Sequence, residues 1–380
     1  MSRLPVTGVG AVTSIGRDTD EIFAALCAGR SGLHELRGFN RDWYNADHLY
    51  EVDNRTAPQA DTTGRATALL LEAVRQAALD AGLGEDLSGI PVFVGTGLRE
   101  LRSLELWWRD GQEFTPSQMH FGTALRERFG AQDTHTISNA CSASLYALAL
   151  GVDLLEFQET ETVIVAGVDV ITESMFGLSD RLQLDPPDRV RPFDRNRKGT
   201  VMGEGAAAMV LRREPPQDRA SIHGYVRGVG VNCDAFHATA PDPRGIAAAI
   251  RDAHSRAGIK AEDVDLVMVH GTGTPLNDAA EGTALAEVYG PHIGNPLMTG
   301  VKSMTGHTSG ASGVLSVLVA LRAMREGRVP PITGLDHPAA EADGFRLVRN
   351  EYTDVRTTLA QVDAFGFGGI NAVAIVEAAQ

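Results

Sequence analysis

The sequence predicts an α/β fold built from two similar halves that are related by a pseudo-twofold axis. Apolar strands alternate with helices along the whole chain, which is the pattern of α/β proteins. Two short motifs also recur at a single spacing, since Ala81-Gly82-Leu83 and Gly95-Thr96-Gly97 return 176 residues later as Ala257-Gly258-Ile259 and Gly271-Thr272-Gly273. We therefore expect a first half over residues 1–212 and a second half over residues 220–380, joined by a charged segment that contains Pro215-Pro216.

The first half begins with an apolar strand over residues 5–12 and a helix over residues 18–28, with Asp18 or Thr19 as its N-cap. The glycines between these elements lack the G-x-G-x-x-G spacing of a dinucleotide site. The next predicted elements are a surface loop over 34–62, a helix over 66–81, a buried strand over 90–94 and an irregular, partly helical region over 98–133. We expect this last region to cover the stretch described next or to form a subunit interface.

A strand, a tight turn and a buried helix are predicted over residues 134–155. Thr134, Thr136 and Ile137 favour a strand, and the segment after Cys141 is apolar on nearly every side. Cys141 would lie where the helix begins, where the positive end of the helix dipole should lower the pKa of the thiol. A buried structural cysteine is the alternative interpretation. The small residues around Cys141 leave space for a substrate and favour a nucleophile.

The remaining elements repeat this alternation of strands and helices. They are a strand over 161–170, a loop over 177–190, a strand over 206–211, a strand over 222–231, a helix over 245–257, strands over 264–269 and 297–302, and an apolar helix over 314–324. The last strand, turn and helix resemble the arrangement around Cys141, with His307 roughly in the place of the cysteine. This similarity is a further indication of an internal duplication.

Composition argues against several classes of function. The formal net charge of −15 disfavours nucleic acid and anionic membranes as partners. The cysteines Cys27, Cys141 and Cys233 are far apart and indicate neither a disulfide framework nor a Cys-x-x-Cys metal site. No signal peptide and no run of 18 apolar residues is evident, so we expect a cytoplasmic protein without a membrane span.

Two histidines and a glycine loop also follow predicted strands. His270 opens His-Gly-Thr-Gly-Thr-Pro, His307 follows Val-Lys-Ser-Met-Thr-Gly, and residues 365–369 read Phe-Gly-Phe-Gly-Gly. Because ligands collect beyond the carboxyl ends of strands in α/β sheets, we expect these groups to converge with Cys141 on one site. A cysteine beside two histidines is typical of nucleophilic catalysis. A metal site is the alternative, but no Cys-x-x-Cys or His-x-x-x-His spacing supports it.

In combination and order, these motifs resemble those of the elongating β-ketoacyl-acyl-carrier-protein synthases of the thiolase-like superfamily, which include polyketide ketosynthases. The matching motifs are Val-Thr-Gly-Val-Gly at 6–10, Asn-Ala-Cys-Ser-Ala-Ser at 139–144, Arg-Pro-Phe-Asp at 191–194, Gly-Glu-Gly at 203–205, His-Gly-Thr-Gly-Thr-Pro at 270–275, Val-Lys-Ser at 301–303 with Gly-His at 306–307, and Phe-Gly-Phe-Gly-Gly-Ile-Asn at 365–371. The resemblance covers essentially the whole chain. It implies a five-layered αβαβα fold and a homodimer, or a heterodimer with a related ketosynthase-like subunit. It implies no cofactor, because the substrates are carried on the phosphopantetheine of an acyl carrier protein.

The resemblance also implies a role for each matching residue. Cys141 would take the acyl chain from a thioester, and the backbone N–H groups of Cys141 and Phe367 would form the oxyanion hole. His270 and His307 would promote decarboxylation of a malonyl thioester, whose carbanion attacks the acyl-cysteine to give a β-ketoacyl product. Lys302, which resembles the family's structural lysine, completes the implied catalytic set. The other implied residues are its counter-charges Asp278 and Glu281, the pantetheine-binding Thr272 and Thr274, the gating Phe367, and the supporting Phe365 and Gly368.

Docking of an acyl carrier protein needs a local basic patch, because carrier proteins are generally acidic and this chain is acidic too. The densest basic cluster lies between residues 189 and 198. Arg191 belongs to the Arg-Pro-Phe-Asp motif and is expected to be internal. Arg195, Arg197 and Lys198 therefore form the predicted docking surface for the carrier.

Some positions depart from the resembled fatty-acid enzymes. Those enzymes carry a glutamate nine residues after the second histidine, where this chain has Ser316, so we expect Lys302 to rely on Asp278 or Glu281. Ile370 also replaces the usual threonine.

Two other functions stay open. A non-catalytic chain-length partner usually has glutamine in place of the nucleophile, which the cysteine and the histidine pair argue against. An acyltransferase that passes the chain from Cys141 to an alcohol or amine would not need decarboxylation, and the histidine pair favours condensation over it.

Overall fold

The computed structural model describes residues 3–182 and 185–379 of the chain. The elements of the first half are β1 (Leu4–Thr13), α1 (Thr19–Cys27), β2 (His34–Glu35), β3 (His48–Leu49), α2 (Arg65–Asp80), β4 (Val92–Thr96), α3 (Leu101–Asp110), α4 (Gly122–Phe129), β5 (Thr134–Ser138), α5 (Ala143–Glu156), β6 (Thr162–Asp169), α6 (Glu173–Leu182) and β7 (Gly205–Arg212). Those of the second half are β8 (Gly224–Cys233), α7 (Pro243–Ala257), β9 (Leu266–Met268), α8 (Pro275–Tyr289), β10 (Leu297–Thr299), α9 (Lys302–Thr305), α10 (Ser312–Glu326), β11 (Arg328–Val329), β12 (Arg346–Leu347), β13 (Thr353–Asp354), β14 (Leu359–Gly366) and β15 (Ile370–Ala378). In these described ranges, none of the helices is both long enough and apolar enough to cross a membrane.

Both halves arrange their strands in the same order. The first half has the order β1-β7-β6-β4-β5 and the second has β8-β15-β14-β9-β10, with β12 added at the far edge. The strand directions also agree. In the first half, β4 is parallel to both of its neighbours and β1 pairs antiparallel with β7. In the second half, β9 is parallel to both of its neighbours and β8 pairs antiparallel with β15. The halves join where β1 and β8 pair over Leu4–Val6 and Gly224–Val226. The predicted pseudo-twofold relation is confirmed, whereas the limits of the two domains stay a prediction.

The helices form three layers around the strands of the two halves. Helix α2 buries one apolar face, including Leu70, Ala73 and Val74, against the strands of the first half. Helices α7 and α8 cover the strands of the second half. Helices α5 and α10 lie between the halves and share a single core with side chains from both. This order of helix, sheet, helix, sheet and helix is the predicted five-layered αβαβα fold.

The two central helices differ in their burial. Helix α10 is buried without interruption from Ser312 to Leu321. Helix α5 buries Leu145 and Leu148, but Leu150 is 45% exposed, so the prediction of an almost completely buried helix is wrong for this face.

Two predicted loops also need correction. Residues 34–62 are more than a surface loop, because Leu36, Phe39 and Tyr50 pack with Phe176 in a buried cluster. Their irregular spacing gives no period that sequence reasoning could detect. The loop predicted over 177–190 begins with the last residues of α6, while residues 183 and 184 lie outside the described residues. The partly helical character predicted for 98–133 is confirmed by α3 and α4.

Candidate active site

Cys141 lies in the turn that leads from β5 into α5. Residues Ala140–Ser142 form a 3₁₀ turn, and Ala140 has a φ of 58°, a left-handed conformation that non-glycine residues rarely adopt. The end of β14 approaches this turn closely, because a Cβ atom on Gly366 would lie 3.3 Å from the Cys141 nitrogen. The backbone N–H groups of Cys141 and Phe367 both face the Cys141 sulfur. The two predicted oxyanion donors therefore lie together at the thiol.

His307 directs an N–H group at the thiol. Its Nε2 atom lies 3.0 Å from Cys141 Sγ, while its Nδ1 atom accepts the backbone N–H of Ser309 at 3.2 Å. Since Nδ1 acts as an acceptor, the single proton of the neutral imidazole is on Nε2. Burial, and next the charge of Lys302, lower the pKa of His307 well below its ordinary value. In this state His307 donates to the sulfur and does not act as its base.

His270 is a second neutral N–H donor beside the first. Its ring centroid lies 5.4 Å from that of His307, with the planes 81° apart. The ammonium of Lys302 donates to the backbone carbonyl of His270 and lies 3.4 Å from its Nδ1 atom. An ammonium can only donate, so Nδ1 accepts and Nε2 carries the proton. Burial, followed by the charge of Lys302, lowers the pKa of His270 well below its ordinary value.

The predicted counter-charges act mainly on the backbone. Glu281 accepts the N–H groups of His270 and Gly271 at 2.6 and 2.8 Å, and thereby holds the start of the His270 loop. Asp278 accepts the N–H of Phe193 at 2.8 Å. Across the described residues, neither carboxylate forms a direct ion pair with Lys302, but both act on it as nearby negative charges that raise its pKa, as expected of counter-charges. Burial lowers the pKa of Lys302 to about 8, and among the nearby charges that oppose this shift Glu281 has the largest effect.

Sequence reasoning missed Asp363, a buried acid close to this group. Asp363 lies on β14 and accepts Gln361 Nε2 at 2.9 and 3.1 Å. Burial raises its pKa well above the ordinary value, Glu281 raises it further, and Lys302 opposes the shift. The signal in the sequence is an acid inside an apolar strand, two residues before Phe365 and thus on the same face of β14.

The pKa of the Cys141 thiol is raised, whereas from the sequence we expected it to be lowered. Burial raises its pKa to about 11, and the charge of Lys302 and the N–H groups of Phe367 and Cys141 offset this only in part. The helix terminus favours a thiolate, but the loss of hydration around the buried sulfur disfavours it more strongly. The resting side chain of Cys141 is therefore a thiol rather than a thiolate.

The same three side chains are compact enough to be considered as a metal site. The sulfur of Cys141 and a ring nitrogen from each of His270 and His307 lie within 4.8 Å of one another. However, both Nε2 atoms carry protons in the tautomers set by Ser309 and Lys302, so they have no free lone pair for a metal. The opposite tautomer of His307 would place two N–H groups against each other at Ser309. The donor set therefore fits a nucleophile with two N–H donors better than a metal centre.

The loop that is expected to gate the site is the turn that connects β14 to β15. Gly368 and Gly369 have φ values of 86° and 78°, which glycine adopts at no steric cost. Phe367 is 58% exposed, so its side chain lies at the surface. Phe365 is buried and contacts the His270 ring edge-on, with the centroids 5.6 Å apart. The loop thus joins a buried contact with the histidine to an exposed aromatic side chain.

The two predicted pantetheine-binding threonines contact each other. The hydroxyls of Thr272 and Thr274 lie 2.9 Å apart. The Thr274 oxygen also accepts the N–H of Asn277 at 3.3 Å and caps α8. One of the two hydroxyls therefore has a structural role, and binding of pantetheine stays a prediction.

The predicted docking surface is smaller than expected. The side chain of Arg197 is only 10% exposed and pairs with Glu341 and with Asp278 of α8. Arg197 is therefore a structural residue rather than a free docking cation. Lys198 is exposed but pairs with Asp185 at 2.6 Å. Arg195 is exposed, and in the described ranges no acidic side chain pairs with it. Sequence reasoning missed the burial of Arg197 because Glu341 lies 144 residues away.

Comparisons with known proteins agree with this geometry. Residues 1–216 match the family model described as "Beta-ketoacyl synthase, N-terminal domain", and residues 223–336 match "Beta-ketoacyl synthase, C-terminal domain". Nodulation protein E of Rhizobium meliloti (strain 1021) is 31% identical over 401 aligned positions, which cover 98% of each chain. The 3-oxoacyl-[acyl-carrier-protein] synthase 2 of Synechocystis sp. (strain ATCC 27184 / PCC 6803 / Kazusa) is 32% identical over 97% of this chain and 96% of its own.

Solved structures show the same fold. The ishigamide ketosynthase/chain length factor has a TM-score of 0.88 and 31% identity over 99% of both chains. A chain from the complex of a type II polyketide synthase acyl-carrier protein with its ketosynthase has a TM-score of 0.87, and the match covers all of that chain and all of this one. Because the identity is 21%, this match supports the fold alone. The two domain matches and the full-length relatives show that this chain belongs to the β-ketoacyl synthase family of acyltransferases.

Proposed function

We propose that this enzyme holds an acyl chain on Cys141 and condenses it with a malonyl-type thioester carried by an acyl carrier protein. The observation that carries the proposal is the pair of neutral imidazoles beside the thiol. His270 and His307 each have an N–H group directed into the site, because Lys302 and the backbone of Ser309 occupy their other ring nitrogens. Two such donors suit a reaction in which negative charge develops on a thioester oxygen.

The first step is transfer of the acyl chain to the enzyme. The sulfur of Cys141 attacks the thioester carbonyl, the C–S bond to phosphopantetheine breaks, and the thiol proton of Cys141 ends on the leaving sulfur. The N–H groups of Cys141 and Phe367 bind the oxyanion that forms in between. Removal of one donor of this kind typically costs about 10²–10³ in rate. The raised pKa of Cys141 requires this assistance, because the resting thiol is a weak nucleophile.

The second step is decarboxylation and carbon–carbon bond formation. The malonyl C–C bond breaks, CO2 leaves, and its electron pair forms an enolate whose oxygen accepts N–H groups from His270 and His307. The enolate carbon attacks the acyl-cysteine, and the C–S bond to Cys141 breaks. The sulfur then takes up one proton from solvent. The products are CO2, the free thiol and a β-ketoacyl chain on the carrier.

The partners of this reaction also belong to the proposal. The substrates would be carried on phosphopantetheine, with Thr272 and Thr274 contacting the arm and Arg195 contacting the carrier protein. The enzyme would act as a homodimer or with a related ketosynthase-like subunit. Similarity to the ishigamide ketosynthase/chain length factor favours polyketide or other secondary metabolism over fatty-acid synthesis. A cytoplasmic location stays a prediction.

Condensation by purified wild-type enzyme and by Cys141→Ala tests this function. With acyl and malonyl carrier thioesters, wild type should release CO2 and form β-ketoacyl product. Cys141→Ala should fold normally, because Ala fits within the space of Cys, but should form no condensation product. Substantial product from the variant would overturn the assignment. Transfer of the chain to an alcohol or amine without release of CO2 would support the alternative acyltransferase.

A further inference from the structure

The turn that precedes α10 is a second copy of the turn that carries the nucleophile. Residues Ser309–Ala311 form a 3₁₀ turn before α10, as Ala140–Ser142 do before α5. Each turn begins with a non-glycine residue at positive φ, 47° at Ser309 and 58° at Ala140. By this correspondence, Gly310 is the counterpart of Cys141, which corrects the expectation that His307 has that place.

The N–H group at the second turn is bound within the protein. In the first turn, the Cys141 N–H faces the reacting sulfur. In the second turn, the N–H of Gly310 donates to Asp169 Oδ2 at 2.6 Å. Asp169 is 1% exposed and comes from β6 of the first half, whereas Gly310 belongs to the second. An internal carboxylate thus occupies the position that corresponds to the oxyanion hole.

Asp169 is itself held by the loop that follows β4. Its Oδ2 atom accepts the N–H of Gly97 at 2.7 Å, and its Oδ1 atom accepts the N–H of Leu98 and the hydroxyl of Thr96, both at 2.8 Å. With Gly310, four donors therefore surround the two oxygens. Such contacts fix the carboxylate, and through it the turn, although Ser309 has an unfavourable backbone conformation.

The fixed turn leads directly to the catalytic histidine. Ser309 N–H donates to His307 Nδ1 at 3.2 Å, and His307 Nε2 lies 3.0 Å from Cys141 Sγ. We propose that Asp169 is a positioning residue that fixes the turn at Ser309 and Gly310 and thereby keeps the His307 Nε2–H group directed at Cys141. The role assigned to that N–H group in catalysis rests on the proposed function.

The tautomer of His307 tests the geometry without any assay of activity. Nitrogen NMR of the protein labelled in its 11 histidines should show His307, identified by its absence in His307→Gln, as a single Nε2–H tautomer. In Asp169→Ala the turn loses its acceptor, and both tautomers should be populated. Asp180→Ala is the matched control, because Asp180 is also a buried acid that accepts backbone N–H groups, those of Asn45 and Ala46. A wild-type tautomer in Asp169→Ala would overturn the proposal.

Decarboxylation of a small malonyl thioester provides the functional readout. Asp169→Ala should lower kcat by about 10-fold to 100-fold with little change in KM, because misplaced catalytic groups cost rate rather than binding. Asp180→Ala should retain the wild-type rate, and equal losses in both variants would mean that Asp169 is merely structural. If wild type shows the single tautomer but no decarboxylation, the proposed function fails while the positioning role stands.

A second pair of variants applies if Asp169→Ala does not fold. A Cβ atom at Gly97 would lie 2.3 Å from Ser309 Oγ and 3.3 Å from Asp169 Oδ2, so Gly97→Ala should disturb the turn and crowd the carboxylate that holds it. Combining Gly97→Ala with Ser309→Ala removes the closer of these two contacts and should restore most of the single tautomer and of kcat. Full activity of Gly97→Ala, or no recovery in the double variant, would contradict the proposal.

Discussion

Replacing Lys302 with methionine should slow decarboxylation of the malonyl thioester. It should also remove the fall in the decarboxylation rate at alkaline pH. Met has a similar unbranched length but no ammonium group, so the change deletes the donor to His270 Nδ1 and to its carbonyl. Without that donor, the imidazole can adopt the opposite tautomer, with its proton on Nδ1. Its Nε2 atom would then be an acceptor and could no longer donate to the enolate oxygen.

The size of the effect follows from the bond that is lost. A hydrogen bond from a charged donor contributes about 1.5–3 kcal/mol, and a tenfold change in rate corresponds to about 1.4 kcal/mol. Lys302→Met should therefore lower the rate of decarboxylation by about 10-fold to 150-fold. The pKa of Lys302 is about 8, so in wild type the ammonium is present below this pH and is lost above it. The wild-type rate should fall as the pH rises through 8, and that fall should be absent from the variant.

The assay is release of CO2 from a small malonyl thioester between pH 6 and 10. A small substrate excludes effects on carrier docking. Lys260→Met is the matched control, because Lys260 is an exposed lysine that pairs only with Glu262 across the described residues. A Lys302→Met enzyme with wild-type kcat, or one that keeps the alkaline fall near pH 8, would refute this role of the ammonium.

Three further predictions concern His307, Glu281 and Arg195. His307→Ala should slow decarboxylation by about 10²–10³, as loss of an oxyanion donor does, and CO2 release at the wild-type rate would make its role structural. Glu281→Gln should lower turnover and Tm more than Ser316→Ala, because Glu281 accepts two backbone N–H groups at the His270 loop, and the reverse ranking would refute this arrangement. Arg195→Glu should raise KM for the acyl carrier protein without changing turnover of a small thioester, whereas equal effects on both substrates would place Arg195 within the active site.

Much of the fold could be predicted from the sequence because apolar residues recur with the period of strands or helices, and because the same order of elements occurs in both halves. Apolar runs identified most long strands and helices, and the shared spacing of Gly95-Thr-Gly97 and Gly271-Thr-Gly273 indicated the duplication. Convergence of Cys141, His270 and His307 followed from their positions after strands, since the carboxyl ends of parallel strands meet at one edge. Local signals were sufficient for these features.

Contacts between distant segments could not be predicted in this way. Asp169 and Gly310 are 141 residues apart, and nothing in either segment indicates their hydrogen bond. Arg197 belongs to an exposed-looking basic run, yet the fold places it against acids from the second half. The pKa of Cys141 also depends on burial of its sulfur in the folded protein, which outweighs the charge of Lys302 and the N–H group of Phe367 from distant parts of the chain. In each case the decisive partner comes from another part of the chain.

The central claim is that Cys141 carries the acyl chain, and intact-protein mass spectrometry tests it most directly. Wild-type enzyme and Cys141→Ala would be incubated with a panel of acyl carrier thioesters without malonyl substrate, and their masses compared. Wild type should gain the mass of one acyl group, Cys141→Ala should gain none, and addition of malonyl carrier thioester should remove the adduct as β-ketoacyl product appears. An adduct of equal yield on Cys141→Ala, or an adduct on wild type that malonyl thioester leaves in place, would contradict the account.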